Sequence, residues 1–299
     1  MKNRALMTNI RKSILKVLLG LSVFASVNAY AGALGDTTKK VLIAGLEKKV
    51  DPVYITKPAN IVFPDILKGN EEEAISYIEK FSTNRRDYII RMYNKGKKLM
   101  PKAAAVLKKH NVPQEFKVLL AIESAFNGEA ISSAGAVGFW QIMDAVANEY
   151  GMKYVKQLSS EEKKKLIKEN PKAADSIFKA MKKLKDDRKN FNKSTAAAAR
   201  YLRDRVKNLG TNWLLVVASY NCGIGNVWNA MKQSGKSNPT FWDIKKYLPE
   251  ETRNYVMNFI AMNVIFHNYE KFTKKTLTFA PEKIMVDNFE HNMMSEIDN

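Results

Sequence analysis

From Arg86 onward, apolar residues return every three or four positions for most of the chain, and that spacing restricts the fold more than any other feature. Segments near 86–98, 101–110, 113–124, 140–150, 161–184, 194–209 and 250–270 carry it. Each reads as an amphipathic helix with one face turned to a core. Glycines such as Gly151 and Gly210 stand at the ends of several. The run Trp213–Tyr220 is mostly apolar and suits either a buried strand or a buried helix; the absence of a second strand-like run selects helix. A mainly α protein is expected. Ahead of the helical region, residues 32–85 scatter Pro52, Pro58 and Pro64 and read as an irregular lead-in with a short helix around Glu71–Phe81. The expected organisation is an N-terminal segment 1–31, this lead-in 32–85, a main domain 86–274, and a tail 275–299 without sustained period.

The first 31 residues have a different logic. Lys2, Arg4, Arg11, Lys12 and Lys16 form a positive stretch with no acidic residue, followed by a mainly apolar run of eleven residues from Val17 to Val27. Small residues then stand at Val27, Ala29 and Ala31. This is the layout of a secretory signal cut after Ala29 or Ala31. The apolar run is short of the roughly 18–20 residues that span a bilayer. No cysteine stands near the cut, so the expected product is a periplasmic or extracellular protein that is not a lipoprotein.

Export makes the charge balance informative. The net charge is +19, and a balance of that sign favours an anionic partner. An acidic wall polymer or membrane surface is the expected class, rather than nucleic acid. Part of the excess lies between Ser159 and Asn190, where ten lysines and one arginine face six acids. That stretch reads as a solvated helical pair linked around Asn170-Pro171, with substrate steering as the alternative. Cys222 is the only cysteine, so no internal disulfide forms, and no histidine lies near it in sequence to activate it. His110, His267 and His291 lack metal-ligand spacing. Neither a metal nor a cofactor is expected.

One carboxylate stands out. A helix is expected to start at Pro113, with Asn111 available as its cap. Along it Phe116, Leu119, Leu120 and Glu123 fall at i, i+3, i+4 and i+7, so Glu123 takes the next position of a buried stripe. Lost hydration there disfavours the charged form and raises the pKa, which suits a proton donor near neutral pH. The alternative is a frayed helix end with Glu123 bonded to backbone amides, and the helix alone does not choose. A small-residue loop follows (Asn127-Gly128, then Ser132 to Gly138), after which Phe139-Trp140-Gln141-Ile142-Met143 resumes an apolar element. Downstream, Tyr220 and Asn221 sit between a buried segment and the turn Gly223-Ile224-Gly225. Tyr255, Phe259, Met262 and Phe266 share one helix face, so the Tyr255 phenol is expected to point inward, where it needs a hydrogen-bond partner.

Taken in order, these segments resemble the soluble-type lytic transglycosylase domain, and most of all its membrane-bound lytic transglycosylase D branch. The resemblance rests on "LLAIESAFN" around Glu123-Ser124, "GAVGFWQIM" (135–143), "DDR" before "STAAAARYL" (186–202), "VASYNCGIG" (217–225) and "LPEETRNYV" (248–256). It covers about 60% of the chain, from Tyr88 to Phe272. It implies a lysozyme-like helical domain with a substrate cleft, and an enzyme that cuts peptidoglycan glycan strands. Carried over by motif, Glu123 becomes the acid/base, Ser124 its support, and Ser132, Gln141, Met143, Tyr220, Asn221 and Tyr255 the lining of the sugar subsites. The sequence also departs from that branch. Ser219 and Cys222 replace small residues, Asp187 and Asn190 replace Glu and Asp, and the Lys-rich stretch 159–190 looks like an insertion.

Most glycosidases use two carboxylates. No second acid occupies a motif position here, although Glu129, Asp144 and Asp186 are present. A single carboxylate suits an intramolecular route that ends in a 1,6-anhydromuramoyl product. Two rivals are a goose-type-lysozyme-like hydrolase with Glu129 as its base, and an inactive basic wall-binding protein.

Overall fold

The computed structural model describes residues 53–158 and 160–286. The expected signal segment, most of the lead-in before Val53 and the tail beyond Val286 lie outside the described residues. What is described is mainly helical, as the periodicity requires.

The core is built around α12 (Glu250–His267), which is buried on nearly all sides: Val256, Phe259, Ile260, Val264 and Ile265 have no solvent exposure. Each large side chain of this kind contributes about 1.5–3 kcal/mol of transfer free energy. Two helices pack most extensively on α12. One is α1 (Glu71–Asn84), whose Ala74, Ile78 and Phe81 join the same core. The other is α9 (Trp213–Cys222), where Leu214 to Ser219 are all buried. The apolar run at 213–220 is therefore a helix, and it lacks a period because it meets protein on every side. Around this centre lie α2 (Arg86–Gly96), α3 (Met100–Lys109) and α8 (Phe191–Leu209), with α3 packed on α8.

Three local expectations need correction. The segment starting at Pro113 is not one helix: Gln114–Val118 form a 3-10 turn, and only Leu119–Ser124 (α4) is α-helical. Asn111 is no side-chain cap; it sits at φ 57° and Pro113 takes the cap position. The segment 140–150 is helical only over Asp144–Glu149 (α5); before it the chain makes isolated antiparallel bridges, Ile131 to Val137 and Val137 to Ile142. Three or four apolar residues around closely spaced glycines satisfy a helical period by count, but Gly135 and Gly138 at φ 87° and 83° cannot continue one. There is also a small sheet that the periodicity missed, β1 (Val53–Lys57) paired with β2 (Glu282–Val286). Each strand has five residues and a proline beside it, Pro58 and Pro281, which masks so short an alternation.

The Lys-rich stretch does form a helical pair, α6 (Ser160–Glu169) and α7 (Pro171–Lys183), joined at Asn170-Pro171. The Asn170 side chain accepts from the Ala173 N–H, and Pro171 takes the first helical position. Beyond α9 the chain adds α10 (Ile224–Ser234) and α11 (Phe241–Ile244), and α13 (Tyr269–Thr273) follows α12. Among the described residues no helix is long and apolar enough to cross a membrane.

Candidate active site

Glu123 sits in the last turn of α4, and the helix stops there abruptly. Ala125 and Phe126 both take left-handed backbone, at φ 49° and 60°, costly for residues with a side chain. The Phe126 N–H returns to the Leu120 carbonyl and the Ala125 N–H to that of Ala121, closing the helix end. Burial holds the turn: Phe126 is only 5% exposed, and its ring lies so close to Gly96 that no Cβ fits there. Glu123 is thus carried on a rigid stub.

The loop that follows is tied to the stub by Ser124. Its Oγ donates to the Phe139 carbonyl at 2.8 Å and accepts from the Asn127 N–H. Ser132 Oγ accepts from the Ala136 N–H at 3.0 Å, closing the loop tip. Gln141 stands at φ 47°, and its Nε2 donates to the carbonyls of Ala130 (3.2 Å) and Gly138 (2.9 Å). The side-chain NH2 is thus engaged with the loop's own backbone, while the amide oxygen accepts no hydrogen bond among the described residues. Met143 is 42% exposed at the start of α5.

Across from this loop, α12 and α9 supply phenols. The Tyr255 hydroxyl donates a short hydrogen bond to Oε1 of Glu123. The Tyr220 hydroxyl donates to the Trp140 carbonyl at 2.7 Å. Trp140 itself is fully buried, with its indole N–H on Thr195 Oγ1 at 2.9 Å. Asn221 Oδ1 accepts from Thr252 Oγ1 at 2.7 Å. Glu123 keeps partial solvent access, yet protein surrounds it closely enough to strip most of its hydration. Burial is the main reason its pKa rises to about 7; the Tyr255 hydrogen bond pulls it down, and the negative charge of Glu251 pushes it up. Burial, and then the charge of Glu123, hold both Tyr220 and Tyr255 well above the ordinary phenol range. These phenols therefore act as donors, not as acids.

Four contributors escaped the sequence reading. Thr252 orients Asn221. Tyr201 packs edge-on against Tyr220, with ring centroids 5.6 Å apart. Glu251 is felt electrostatically at Glu123. The fourth, Arg188, has no solvent exposure and reaches Asp186 (2.8 Å), Asp144 (2.5 Å) and the carbonyls of Ile142 and Val155. All four lie on or beside motif segments already singled out, but their roles depend on tertiary contacts that no spacing predicts.

Among the described residues, no three His, Cys, Asp or Glu side chains gather as metal ligands. A cavity of about 490 Å³ between the Glu129–Ile131 loop and the α6–α7 pair does not include Glu123. The candidate site rests instead on the carboxyl with the raised pKa and its hydrogen bonds, because proton transfer requires such a group.

Comparison with known proteins bears on this geometry. Residues 100–166 and 166–242 match the family described as "Transglycosylase SLT domain". The chain is 32% identical over 172 residues to the membrane-bound lytic murein transglycosylase D of Escherichia coli K12, covering 56% of this chain and 31% of that protein. It is 28% identical over 140 residues to a putative tributyltin chloride resistance protein of Alteromonas sp. (strain M-1), covering 46% of this chain and 55% of that one. The chain thus spans about a third to a half of these relatives' lengths. Among solved structures, the 70 kDa soluble lytic transglycosylase SLT70 of Escherichia coli aligns at 22% identity with a TM-score of 0.39, over 58% of this chain and 25% of that one. Residues 100–242, which hold Glu123, the loop after it and Tyr220-Asn221, are thus the part of this chain that is similar to the Transglycosylase SLT domain.

Proposed function

We propose that this protein is a peptidoglycan lytic transglycosylase that cleaves the β-1,4 bond between N-acetylmuramoyl and N-acetylglucosaminyl residues, with Glu123 as its sole acid/base. The observation that carries the reading is the Glu123–Tyr255 pair: a carboxyl whose pKa lies at about 7 through burial, with a phenol on one of its oxygens. Because Tyr255 donates to Oε1, the proton of the neutral acid sits on Oε2. That oxygen protonates the glycosidic oxygen as the bond breaks, and the leaving sugar departs with its hydroxyl restored. The substrate's own acetamido group stabilises the positive charge left at the muramoyl carbon. The Glu123 carboxylate then takes the proton of the muramoyl 6-hydroxyl as that oxygen closes a 1,6-anhydro ring. One proton leaves Glu123 and one returns, and no water is consumed.

The other acids near the site support the one-carboxylate reading. Glu129 is 70% exposed and paired with Lys189 at 2.6 Å. Asp144 and Asp186 are both held by Arg188. The substrate-orienting roles fall to Tyr220, Asn221, the Gln141 carbonyl oxygen, Ser132 and Met143, with Ser124 fixing the acid's helix end. Orientation of that kind matters because small misplacement of reacting atoms costs rate steeply. The same reading places the protein outside the cytoplasm, after removal of the N-terminal segment and its five positive charges, against a polyanionic wall that the remaining charge of +14 would favour. The test is mass analysis of products released from purified peptidoglycan by the full chain. Anhydromuropeptides are expected; no release of fragments at any pH between about 5 and 8, the range around the acid's own pKa, would overturn the reading.

A further inference from the structure

The Lys-rich pair α6–α7 is more than a solvated surface. Along α7, Ala174, Ile177, Phe178, Met181 and then Leu184 fall on one face, but Phe178, Met181 and Leu184 take no part in the main core. They line an open cavity of about 490 Å³ instead. Its opposite wall includes Ile131 and Glu129, from the loop whose next residue is Ser132. Ile131 and Leu184 are 46% and 58% exposed, a high cost in water for side chains that make no contact with the main core. The Transglycosylase SLT match falls in two pieces that meet at residue 166, inside this pair.

The charges of the cavity narrow what it takes. Glu129 is paired with Lys189, and Asp186 is held by Arg188. Lys163 lines the cavity with no ion-pair partner among the described residues. The cavity therefore offers an apolar floor with one uncommitted cation above it. A ligand that fits has small alkyl groups and a free carboxylate. Resting on the function proposed above, we propose that this pocket seats the acidic peptide stem carried by the muramoyl residue, so that the α6–α7 pair makes the enzyme prefer peptide-bearing glycan. The position agrees: Glu129 and Ile131 of the pocket wall stand on the loop that runs from the helix of Glu123 to Ser132, and the stem leaves the same sugar whose bond Glu123 would cut. Ligand pockets of this volume, mainly apolar with few polar groups, match bound segments of a few residues.

Two measurements on the full chain test this. The first compares cleavage of glycan strands bearing stems with the same strands after an amidase has removed them. The wild type is expected to show a KM about tenfold lower on stem-bearing strands, equivalent to one well-placed contact set. Phe178→Ser and, separately, Lys163→Gln should abolish that preference while leaving kcat on stripped strands unchanged. Circular dichroism verifies that both variants fold, and Lys163→Gln, at a partly exposed position, keeps the test alive if Phe178→Ser does not. The second measurement needs no catalysis: a fluorescently labelled free stem peptide is titrated into the protein and followed by anisotropy. Saturable binding that weakens with salt and is lost in Phe178→Ser is expected. Equal KM on both strands, with peptide binding absent or unaffected by the two substitutions, overturns the pocket assignment while leaving the transglycosylase reading intact. Peptide binding that depends on Phe178, in a protein that cuts neither strand, keeps the pocket and overturns the enzyme. Concentration-dependent dimers that Phe178→Ser dissolves would show that a second copy fills the pocket and would also overturn the proposal.

Discussion

The hydroxyl of Tyr255 reaches the carboxyl of Glu123 across 132 positions of sequence, from the first turns of α12 to the last turn of α4. The two ends are held independently. Tyr255 is fixed by a helix buried on nearly all sides, and Glu123 by a helix stub closed with two left-handed residues. The contact therefore needs little rearrangement when a substrate binds. It also distinguishes the two carboxyl oxygens, one receiving the phenol and the other left for the bond that the proposed reaction breaks.

Replacing Glu123 by Gln should abolish lysis of wall sacculi, a loss of at least about a hundredfold, since Gln keeps the shape but exchanges no proton. The same substitution has a stability signature. A carboxyl whose folded pKa is raised from 4.5 to about 7 binds its proton more tightly in the folded state. Its favourable contribution is complete below pH 4.5 and is lost as pH rises through about 7. The neutral amide of the Glu123→Gln variant has no such dependence. The variant should match wild type in unfolding free energy from urea titration at about pH 4 and exceed it at about pH 8 by about 2 kcal/mol, a value discounted for the partial exposure of the side chain. Identical pH dependence in the two proteins would place Glu123 in water and remove the basis of its role.

Tyr255→Phe removes a hydrogen bond that pulls the Glu123 pKa down. Its alkaline limb in a profile of kcat/KM against pH should move to higher pH, because the acid form then survives further. The rate at the optimum should fall by roughly tenfold or more, as one oxygen of the carboxyl loses its anchor. A merely structural tyrosine would lower activity without moving the limb, so the direction of the shift decides.

Arg188 and Gly138 hold the loop from the other side. A Cβ on Gly138 would sit 2.0 Å from the Arg188 carbonyl oxygen, and the backbone there has φ 83°. Gly138→Ala should therefore cost more than about 3 kcal/mol. Arg188→Met leaves Asp186 buried without its partner. Burial would push the Asp186 carboxyl up, but hydrogen bonds from Arg188 and from the Val155 and Arg188 N–H groups hold it below the ordinary carboxylate range. A loss of about 3–5 kcal/mol is expected for Arg188→Met, and adding Asp186→Asn should restore part of it. Chemical denaturation of the wild type and these variants measures both; additive losses in the double variant would mean that the two side chains are not coupled.

How much of this was legible follows from what periodicity records. The inward turn of Tyr255 could be read from its stripe with Phe259, Met262 and Phe266, because a single helix face encodes it. The burial of Glu123 could not be chosen from its stripe alone, which allowed a frayed end as well, and the residues just before its helical stub form a 3-10 turn. The loop from Gly135 to Ile142 could not be read, since its backbone is set by glycine conformations and by contact with the Arg188 carbonyl. Arg188 was hidden by its neighbours. A run of ten lysines reads as solvated, and most of it is, yet the one arginine within it has no exposure at all. Thr252 stands three residues before Tyr255 in a motif segment, and only the approach of α9 gives it Asn221 as a partner.

The products decide the chemistry. Hydrolysis would require a second carboxylate to activate water, and each acid named from the sequence is committed elsewhere: Glu129 to Lys189, Asp144 and Asp186 to Arg188. Glu251 is different. It is exposed in the first turn of α12, and its charge is felt at Glu123. Its effect there is to raise the Glu123 pKa, which helps an acid and does not require it to touch water. The muramoyl 6-hydroxyl, by contrast, is tethered to the reacting carbon, and tethering is worth on the order of 7–11 kcal/mol of barrier at best. Ring closure should therefore outrun hydrolysis, giving products one water lighter than hydrolytic ones. Glu129→Gln should leave that distribution unchanged. Glu251→Gln should lower the pH at which activity declines, because a charge that raised the Glu123 pKa is gone, again without changing the products. If reducing-end products dominate in the wild type and Glu251→Gln suppresses them, a water and two carboxylates do the work, and the one-carboxylate mechanism is wrong.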